Sequence, residues 1–283
     1  MDRRERLAAL FRDTQMNYIT DSDLAAAVAT SSAVTRLYPA DAMPAFPKNA
    51  EAEGAVSVTR ARSYEAAMGL CAAYPGRKVA VLNFASATSP GGGVVRGSTA
   101  QEECLCRCST LYAALDQERM WKAYYDVNRA ARNVLHTDDC IYTPGVVIFK
   151  TDEDFPELMP REEWRTVDVI SCAAPNLREI PANIYNPESG AAVSITDEEL
   201  QRLHEQRAKC ILAVCAANQA DVLVLGAFGC GAFSNDPQVV ARAYANVMRE
   251  YRRHFTCIEF AVYCRPNETV NYDAFRQAMS EFM

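Results

Sequence analysis

Two adjacent carboxylates, Glu102 and Glu103, follow a glycine-rich stretch of the sequence. Seven residues separate the triplet Gly91-Gly92-Gly93 from the run Gln101-Glu102-Glu103. Glycine lets the main chain come very close to a bulky ligand, at an entropic cost that a simple turn would not require three times. Neighbouring carboxyl groups can hold one proton between them and act as general acid and base. The pattern predicts a phosphate-containing sugar ligand whose glycosidic bond lies beside Glu103.

The same residues also have simpler interpretations. Acidic side chains at 101–103 suit an ordinary helix start, where the macrodipole favours the ionised carboxylate. A second carboxylate and a ligand phosphate act in the opposite direction and raise the pKa of one member, so we expect the pair to titrate as a unit. The loop is neither a dinucleotide fingerprint nor a P-loop, because it contains no Gly-x-Gly-x-x-Gly and no Gly-Lys-Ser/Thr.

A second glycine-rich loop, residues 226–236, follows an apolar strand predicted at 221–226. A row of main-chain amides on small residues after a buried strand can hold a diphosphate. In this loop Gly229 and Gly231 flank a small residue, Cys230. Phe233 then offers an aromatic face to a sugar or base. Further candidate phosphate partners are Arg60, Arg62 and Arg96.

Nucleophilic and metal-dependent chemistry are weaker interpretations. Cys230 lies between glycines as a nucleophile would, but none of the chain's three histidines stands in a loop suited to catalysis: His136, His204 and His254. We expect Cys230 to line the pocket and His204 to be solvated.

The alternation Cys104-x-Cys106-x-Cys108 does not fit zinc, because residues two apart on a helix point in different directions and no second ligand pair follows. We expect buried thiols, no metal and no cofactor.

Composition limits the class of protein further. A chain of 283 residues with 49% apolar content supports one large globular core. The net charge of −7 argues against sequence-independent binding to duplex nucleic acid, and we expect no sequence-specific binding either. We find no secretory signal and no apolar run near the ~20 residues that span a bilayer. Eleven scattered cysteines indicate reduced thiols and a cytoplasmic location.

The order of predicted elements favours an α/β fold. Strands at 56–59, 79–84, 141–149, 167–173, 221–226 and 257–264 alternate with helices, among them 102–115 and 196–218. This alternation predicts a three-layer α/β/α domain with a mixed sheet. We expect a single domain over 1–283, with a helical N-terminal extension (1–55) before the α/β core (56–283). Ligands bind at the carboxyl ends of strands in such sheets, so both glycine loops are expected there, beside a long loop at 174–194.

The motifs resemble those of one known family. The spacing of Gly91-Gly92-Gly93 and Gln101-Glu102-Glu103 is similar to the signature of poly(ADP-ribose) glycohydrolases. The flanking runs Leu82–Thr88 and Ser109–Tyr112 resemble the bacterial-type branch, and residues 226–233 resemble that family's diphosphate-binding loop. The resemblance implies a macrodomain-like fold and hydrolysis of ribose–ribose O-glycosidic bonds without metal or cofactor.

By this resemblance Glu103 is the catalytic acid, and Glu102 binds ribose hydroxyls. The other residues expected at the substrate are Phe84, Ala85, Ser86, Gly91, Gly92, Gly93, Gln101 and Gly229–Phe233. The adenine is expected near Phe84 or the end of the last strand. Ser89 stands where bacterial members often carry an arginine, which predicts a missing contact beside the glycine loop.

The expected partner is poly(ADP-ribose), or ADP-ribose on modified proteins, bound by a monomer. Two alternatives remain open at this point. One is a hydrolase that removes single ADP-ribose units, and the other is a module that binds ADP-ribose without turnover.

Overall fold

The computed structural model of the chain describes residues 2–47, 52, 54–182, 187 and 189–283. Parts of the predicted extension (residues 1, 48–51 and 53) and of the predicted long loop (residues 183–186 and 188) lie outside the described residues.

One mixed sheet of seven strands forms the centre of the described structure. The strands are β1 (Arg36–Tyr38), β2 (Ala55–Thr59), β3 (Val79–Phe84), β4 (Cys140–Ile148), β5 (Arg165–Cys172), β6 (Val222–Leu225) and β7 (Cys257–Ala261). Their order is β1-β4-β5-β3-β6-β7-β2. The β1–β4 and β4–β5 pairs are antiparallel, whereas the pairs from β5 through β3, β6 and β7 to β2 are parallel.

Ten α-helices are present in the described chain. They are α1 (Arg3–Thr20), α2 (Ser22–Val34), α3 (Ser63–Ala73), α4 (Gln101–Cys108), α5 (Leu111–Leu115), α6 (Glu118–Met120), α7 (Asp126–Ala131), α8 (Asp197–Ala217), α9 (Pro237–Tyr251) and α10 (Val270–Met279). A π-helical turn, Trp121–Tyr125, joins α6 to α7. No helix in these ranges is long and apolar enough to span a bilayer.

The helices cover both faces of the sheet, as the strand periodicity requires. Ala80 and Leu82 of β3 pack in one core with α8, α9 and α10. Val79 and Val81, which point the other way, pack in a second core with α1, α3, α4 and α5. Successive side chains of a strand face opposite sides, so a strand with apolar side chains on both faces needs two helical layers. The predicted three-layer α/β fold is confirmed.

Two details differ from the sequence prediction. The N-terminal region contributes the edge strand β1 to the sheet, so it is not helical throughout. The helix predicted over 102–115 is broken after Cys108, because Ser109 adopts an extended conformation and forms an isolated bridge with Ile148. The strand around 141–149 is bent, as its interruption by Thr143-Pro144-Gly145 predicts, with a register shift between Thr143 and Val146.

The two glycine-rich loops leave the sheet from neighbouring strands at the same edge. Residues 85–100 follow β3 and residues 226–236 follow β6, and the two strands pair in parallel. The Ala85 N–H donates to Cys172 O at 2.9 Å, which fixes the start of the first loop to the end of β5. A Cβ at Gly226 would lie 2.7 Å from Ala261 O, so the second loop begins in contact with the end of β7. The sheet thus places both loops around one opening.

Candidate active site

A large cavity of about 1350 Å³ lies between the two loops. Most of the residues predicted to bind substrate line it: Phe84, Ser86, Gly92, Gly93, Gln101, Glu102, Glu103, Gly229, Gly231, Ala232 and Phe233. Of the arginines predicted as phosphate partners, Arg62 and Arg96 line the cavity, whereas Arg60 lies over the Tyr272 ring at 4.6 Å.

Three of the predicted residues do not line the cavity. Ala85 is buried, and its amide bonds within the sheet edge. Gly91 has φ +63°, and a Cβ there would lie 2.7 Å from the Tyr112 ring. Cys230 Sγ donates to Phe228 O at 3.8 Å, and burial raises the pKa of its thiol. A buried thiol with a raised pKa is a poor nucleophile, so the nucleophile interpretation of Cys230 has no support in the structure.

Gln101 fastens the start of α4 to the end of β3. Its Nε2 donates to Leu82 O at 2.8 Å and to Ser63 Oγ at 3.0 Å. Its Oε1 accepts from the Phe84 N–H at 2.9 Å. All of these partners are protein groups, and they hold the next two residues, Glu102 and Glu103, in a fixed position at the cavity wall.

The Glu102 carboxylate is held by the first loop and is almost fully buried. Its Oε2 accepts from the Ser86 N–H at 2.7 Å, and its Oε1 accepts from Asn83 Nδ2 at 3.2 Å. Burial, followed by the charge of Glu103, raises the pKa of Glu102 to about 8, although the Ser86 and Asn83 hydrogen bonds oppose that rise. The carboxyl pair therefore keeps one proton at neutral pH, as expected for two neighbouring acids that titrate together.

Glu103 has one oxygen fixed and one oxygen without a partner. Its Oε1 accepts from the Gly93 N–H at 2.8 Å. Its Oε2 is buried and forms no hydrogen bond with any described residue. A buried carboxyl oxygen without a partner is costly, and because Glu103 lines the cavity, a ligand hydroxyl or ether oxygen could complete the bonding.

The glycine triplet has to accommodate these carboxylates as well as a ligand. Gly92 has φ +56°, and a Cβ there would lie 2.6 Å from Glu103 Oε1 and 3.1 Å from Glu102 Oε2. A Cβ at Gly93 would lie 2.2 Å from Ser98 Oγ. The sequence pattern suggested only a close approach to a ligand. The structure adds that side chains at 92 and 93 would displace the acids and the Ser98 hydroxyl.

The second loop leaves its main-chain amides available. The N–H groups of Gly229, Gly231, Ala232 and Phe233 donate no hydrogen bond to any described residue. The Cys230 N–H instead donates to Ala227 O at 3.1 Å, so it does not belong to the available row. Several such amides around one cavity form an anion-binding site.

A buried asparagine fixes the shape of the second loop. Asn235 Nδ2 donates to Pro175 O at 2.7 Å, and to Gly229 O and Phe233 O at 3.1 Å each. Its Oδ1 accepts from His204 Nε2 at 2.8 Å. His204 is fully buried, so the prediction that it is solvated is wrong. Burial lowers the pKa of His204 to about 4, and this histidine is neutral and structural.

One histidine does line the cavity. His136 Nδ1 donates to Ala174 O at 2.8 Å, and its ring centroid lies 5.9 Å from that of Phe233. Burial lowers the pKa of His136 to about 4, so it is neutral at physiological pH. Its left-handed backbone (φ +56°) brings the ring into the cavity, and no short-range sequence signal predicted this.

Among the described residues, no group of three or more His, Cys, Asp or Glu side chains is placed to hold a metal ion. The alternating cysteines of α4, Cys104, Cys106 and Cys108, are free thiols, and the last two are buried.

Comparison with known proteins decides the family. The family model of the microbial-type PARG catalytic domain matches residues 8–151. The crystal structure of poly(ADP-ribose) glycohydrolase from Thermomonospora curvata is 32% identical, with a TM-score of 0.82 over 97% of this chain and 100% of that chain. The chain belongs to the microbial-type poly(ADP-ribose) glycohydrolase family.

Two liganded structures of such enzymes are also similar to the chain. The T. curvata enzyme bound to the inhibitor ADP-HPD is 32% identical, with a TM-score of 0.79, and the match covers 97% of this chain and 99% of that one. The Deinococcus radiodurans enzyme in complex with ADP-ribose is 32% identical, with a TM-score of 0.74, and the match covers 90% of this chain and 97% of that one. No curated protein matches the chain. The family predicted from the glycine and glutamate motifs is confirmed.

An arginine lies beside Ser89, where a missing contact was predicted. Arg129 of α7 donates from Nε to Thr88 O at 2.7 Å and from Nη2 to Ser89 Oγ at 3.2 Å. Its guanidinium lies 4.6 Å from the Trp121 ring centroid. A guanidinium from α7 therefore contacts the first loop at Ser89.

Proposed function

We propose that this chain hydrolyses the ribose–ribose O-glycosidic bonds of poly(ADP-ribose) and releases ADP-ribose, with Glu103 as general acid and base. The observation that carries the proposal is the bonding of Glu103, which lines the cavity: Oε1 is fixed by the Gly93 N–H, and the buried Oε2 has no hydrogen-bond partner among the described residues. A fixed carboxyl group in a cavity lining, with one oxygen that no protein group binds, is suited to proton transfer.

The ligand arrangement follows from the two loops. The diphosphate of ADP-ribose binds the amides of Gly229, Gly231, Ala232 and Phe233, and the ribose next to the scissile bond packs on the Phe233 ring. The adenine extends toward Phe84 and the end of β7, where Val262 and Tyr263 also line the cavity. Structures of two family members with ADP-ribose or ADP-HPD support this class of ligand.

The reaction begins with proton donation from Glu103 Oε2 to the departing ribose oxygen. The bond between that oxygen and the anomeric carbon breaks with its electron pair on oxygen, which leaves as a hydroxyl group. Positive charge develops on the anomeric carbon and is stabilised by the nearby phosphate. A water molecule adds to this carbon and gives its proton to the ionised Glu103, which restores the acid.

Glu102 supports this cycle without donating the proton itself. Both of its oxygens already accept protein hydrogen bonds, and it is placed to orient ribose hydroxyls. Its raised pKa keeps a proton on the carboxyl pair at neutral pH.

The competing functions share the cavity but not the chemistry. A module that only binds ADP-ribose gains nothing from two buried acids beside a diphosphate, because their burial is electrostatically costly. A hydrolase of single ADP-ribose units would use the same acid on a different leaving group.

One assay separates the three functions. The protein is incubated with poly(ADP-ribose) and, separately, with a mono-ADP-ribosylated protein, and free ADP-ribose is quantified. We expect release from the polymer at a rate well above that from the mono-modified protein. Equal release from both substrates would favour the mono-ADP-ribosyl hydrolase. Tight binding of ADP-ribose with no release from either substrate would favour the binding module.

The cellular setting is part of the same proposal. We place the enzyme in the cytoplasm as a monomer that needs no metal or cofactor. All eleven cysteines are free thiols, which supports a reducing compartment. Light scattering in solution tests the monomer, and activity in the presence of a chelator tests the metal independence.

A further inference from the structure

The cavity lining has more basic than acidic residues, whereas the chain as a whole has more acidic than basic ones. The chain has 29 basic and 36 acidic residues, but its described cavity lining contains seven arginines, no lysine and four carboxylates. Arginine binds phosphate through paired N–H groups in a fixed planar geometry, more specifically than lysine does. One diphosphate on the second loop does not account for so many guanidinium groups.

Part of this positive charge comes from the first turn of α1. Arg3 and Arg4 line the cavity together with Ser98, Thr99 and Ala100, and we call these five residues the α1 rim. The rim is tightly fitted, because Gly97 has φ +74° and a Cβ there would lie 2.1 Å from Arg4 O. The N-terminal helix is thus packed directly against the segment that leads into Glu102 and Glu103.

The arginines of this region differ in how they are paired. Arg3 and Arg62 share the carboxylate of Asp154. Arg4 is exposed and forms no hydrogen bond, ion pair or ring contact with any described residue. Its guanidinium is therefore available to a ligand.

A buried arginine lies next to the rim. Arg107 is 1% exposed, and its Nη1 donates to Ser98 O at 2.6 Å. Its Nε is buried without a partner, and within the described ranges no carboxylate forms an ion pair with it. A buried charge is normally paired, so the electrostatic environment of the rim favours an incoming anion.

We propose that the α1 rim is a second anion subsite, which binds a pyrophosphate of the polymer on the far side of the bond that Glu103 cleaves. This inference rests on the proposed function. When the scissile bond lies at Glu103, the departing portion of the polymer carries its own pyrophosphate. The rim is held by α1, whereas the diphosphate loop is fastened to residues 175–177 by Asn235 and Leu177. The two subsites are therefore built by separate parts of the fold on one cavity.

The subsite would make the enzyme prefer polymer over shorter substrates. Arg4 interacts with the departing portion only, so its charge contributes to KM for polymer and not to the affinity for free ADP-ribose. This contribution is electrostatic and weakens as salt is added.

The test compares Arg4→Gln with Arg12→Gln on the same helix. Arg12 is also exposed and has no partner among the described residues, but it does not line the cavity. We expect Arg4→Gln to raise KM for poly(ADP-ribose) about three- to tenfold and to reduce the salt slope of kcat/KM by about one. We expect Arg12→Gln to match wild type, and both variants to bind ADP-ribose with unchanged Kd in calorimetry.

The possible outcomes are distinguishable from failure of the proposed function. If wild type releases no ADP-ribose from polymer, the proposed function fails. If wild type is active and Arg4→Gln matches it in KM and salt slope, the second subsite does not exist. If Arg12→Gln changes KM and the salt slope as much as Arg4→Gln does, the effect comes from the net charge of the protein and the second subsite is ruled out. If Arg4→Gln also weakens the binding of free ADP-ribose, Arg4 belongs to the first subsite and the proposal is again ruled out.

Discussion

The two glycine-rich loops use their main-chain amides in opposite ways. In the loop after β3, the N–H groups of Ser86 and Gly93 donate to Glu102 and Glu103. In the loop after β6, the amides of Gly231, Ala232 and Phe233 remain without partners in the described chain. The first loop therefore positions acids, and the second is left open for an anion. Similar glycine content at the same sheet edge thus serves two functions, and the hydrogen-bond partners distinguish them.

The largest expected effect is on the acid that the first loop holds. Glu103→Gln keeps the shape of the side chain but removes its proton-donating carboxyl group, and general acid–base catalysis is worth about 10²–10⁴-fold. We expect kcat on poly(ADP-ribose) to fall by that factor, while the calorimetric Kd for ADP-ribose changes less than about threefold. Release of ADP-ribose at a near wild-type rate would show that Glu103 is not the acid.

A smaller loss is expected when the carboxylates are displaced. In Gly92→Ala the new Cβ would meet Glu103 Oε1 at 2.6 Å, and misplacement of a catalytic group by an ångström can cost about 10²-fold. We expect kcat to fall about 10- to 100-fold. The matched control is Gly76→Ala, since Gly76 has φ +80° but no heavy atom within 4 Å of its Cβ position. If both variants keep full activity, Gly92 is not needed to position the acids.

A substitution that disturbs the second loop should weaken ligand binding and leave the chemical step nearly unchanged. Asn235→Ala removes the hydrogen bonds that hold Gly229, Phe233 and Pro175 together, and unsatisfied buried groups cost about 1–3 kcal/mol each. We expect the Kd for ADP-ribose to rise about tenfold, with kcat at saturating polymer nearly unchanged. Asn218→Ala, which loses hydrogen bonds to Tyr38 and Val214 away from the cavity, should lower Tm without changing that Kd. A fall in kcat at unchanged Kd in Asn235→Ala would reverse the assignment of the two loops.

The smallest effect is a displacement of the pH profile. The raised pKa of Glu102, about 8, means that the free enzyme loses the proton of the carboxyl pair as the pH rises through that value. We expect kcat/KM for polymer to fall above about pH 8. Glu102→Gln removes the group with the raised pKa, so we expect this basic limb to be lost. A limb that stays near pH 8 in that variant would show that another group sets it.

Features that depend on the pattern of neighbouring residues could be predicted from the sequence. Five of the six residues of Val79–Phe84 are apolar, so the segment predicts a strand buried on both faces, and the structure has β3 at these residues. The spacing from Gly91-Gly92-Gly93 to Gln101-Glu102-Glu103 was sufficient to predict the family. These features depend on residues close together in the chain, whose types alone restrict the structure.

Features that depend on long-range contacts were not predictable. The role of Gly97 is set by Arg4, which is distant in sequence and approaches only when α1 packs on the loop. The sequence places His204 on a charged helix, which predicts a surface residue. In the structure its ring is buried and forms a hydrogen bond with Asn235. The triplet glycines indicated a ligand, but their contact with the carboxylates becomes evident only in three dimensions.

The most direct test of the division between the loops is a crystal structure of this chain with ADP-ribose. We predict an oxygen of the Glu103 carboxyl within about 3 Å of the anomeric hydroxyl of the bound ribose, and diphosphate oxygens at hydrogen-bond distance from the Gly231, Ala232 and Phe233 amides. A complex with that carboxyl more than about 6 Å from the anomeric carbon, or with the diphosphate bound away from those amides, would contradict the account.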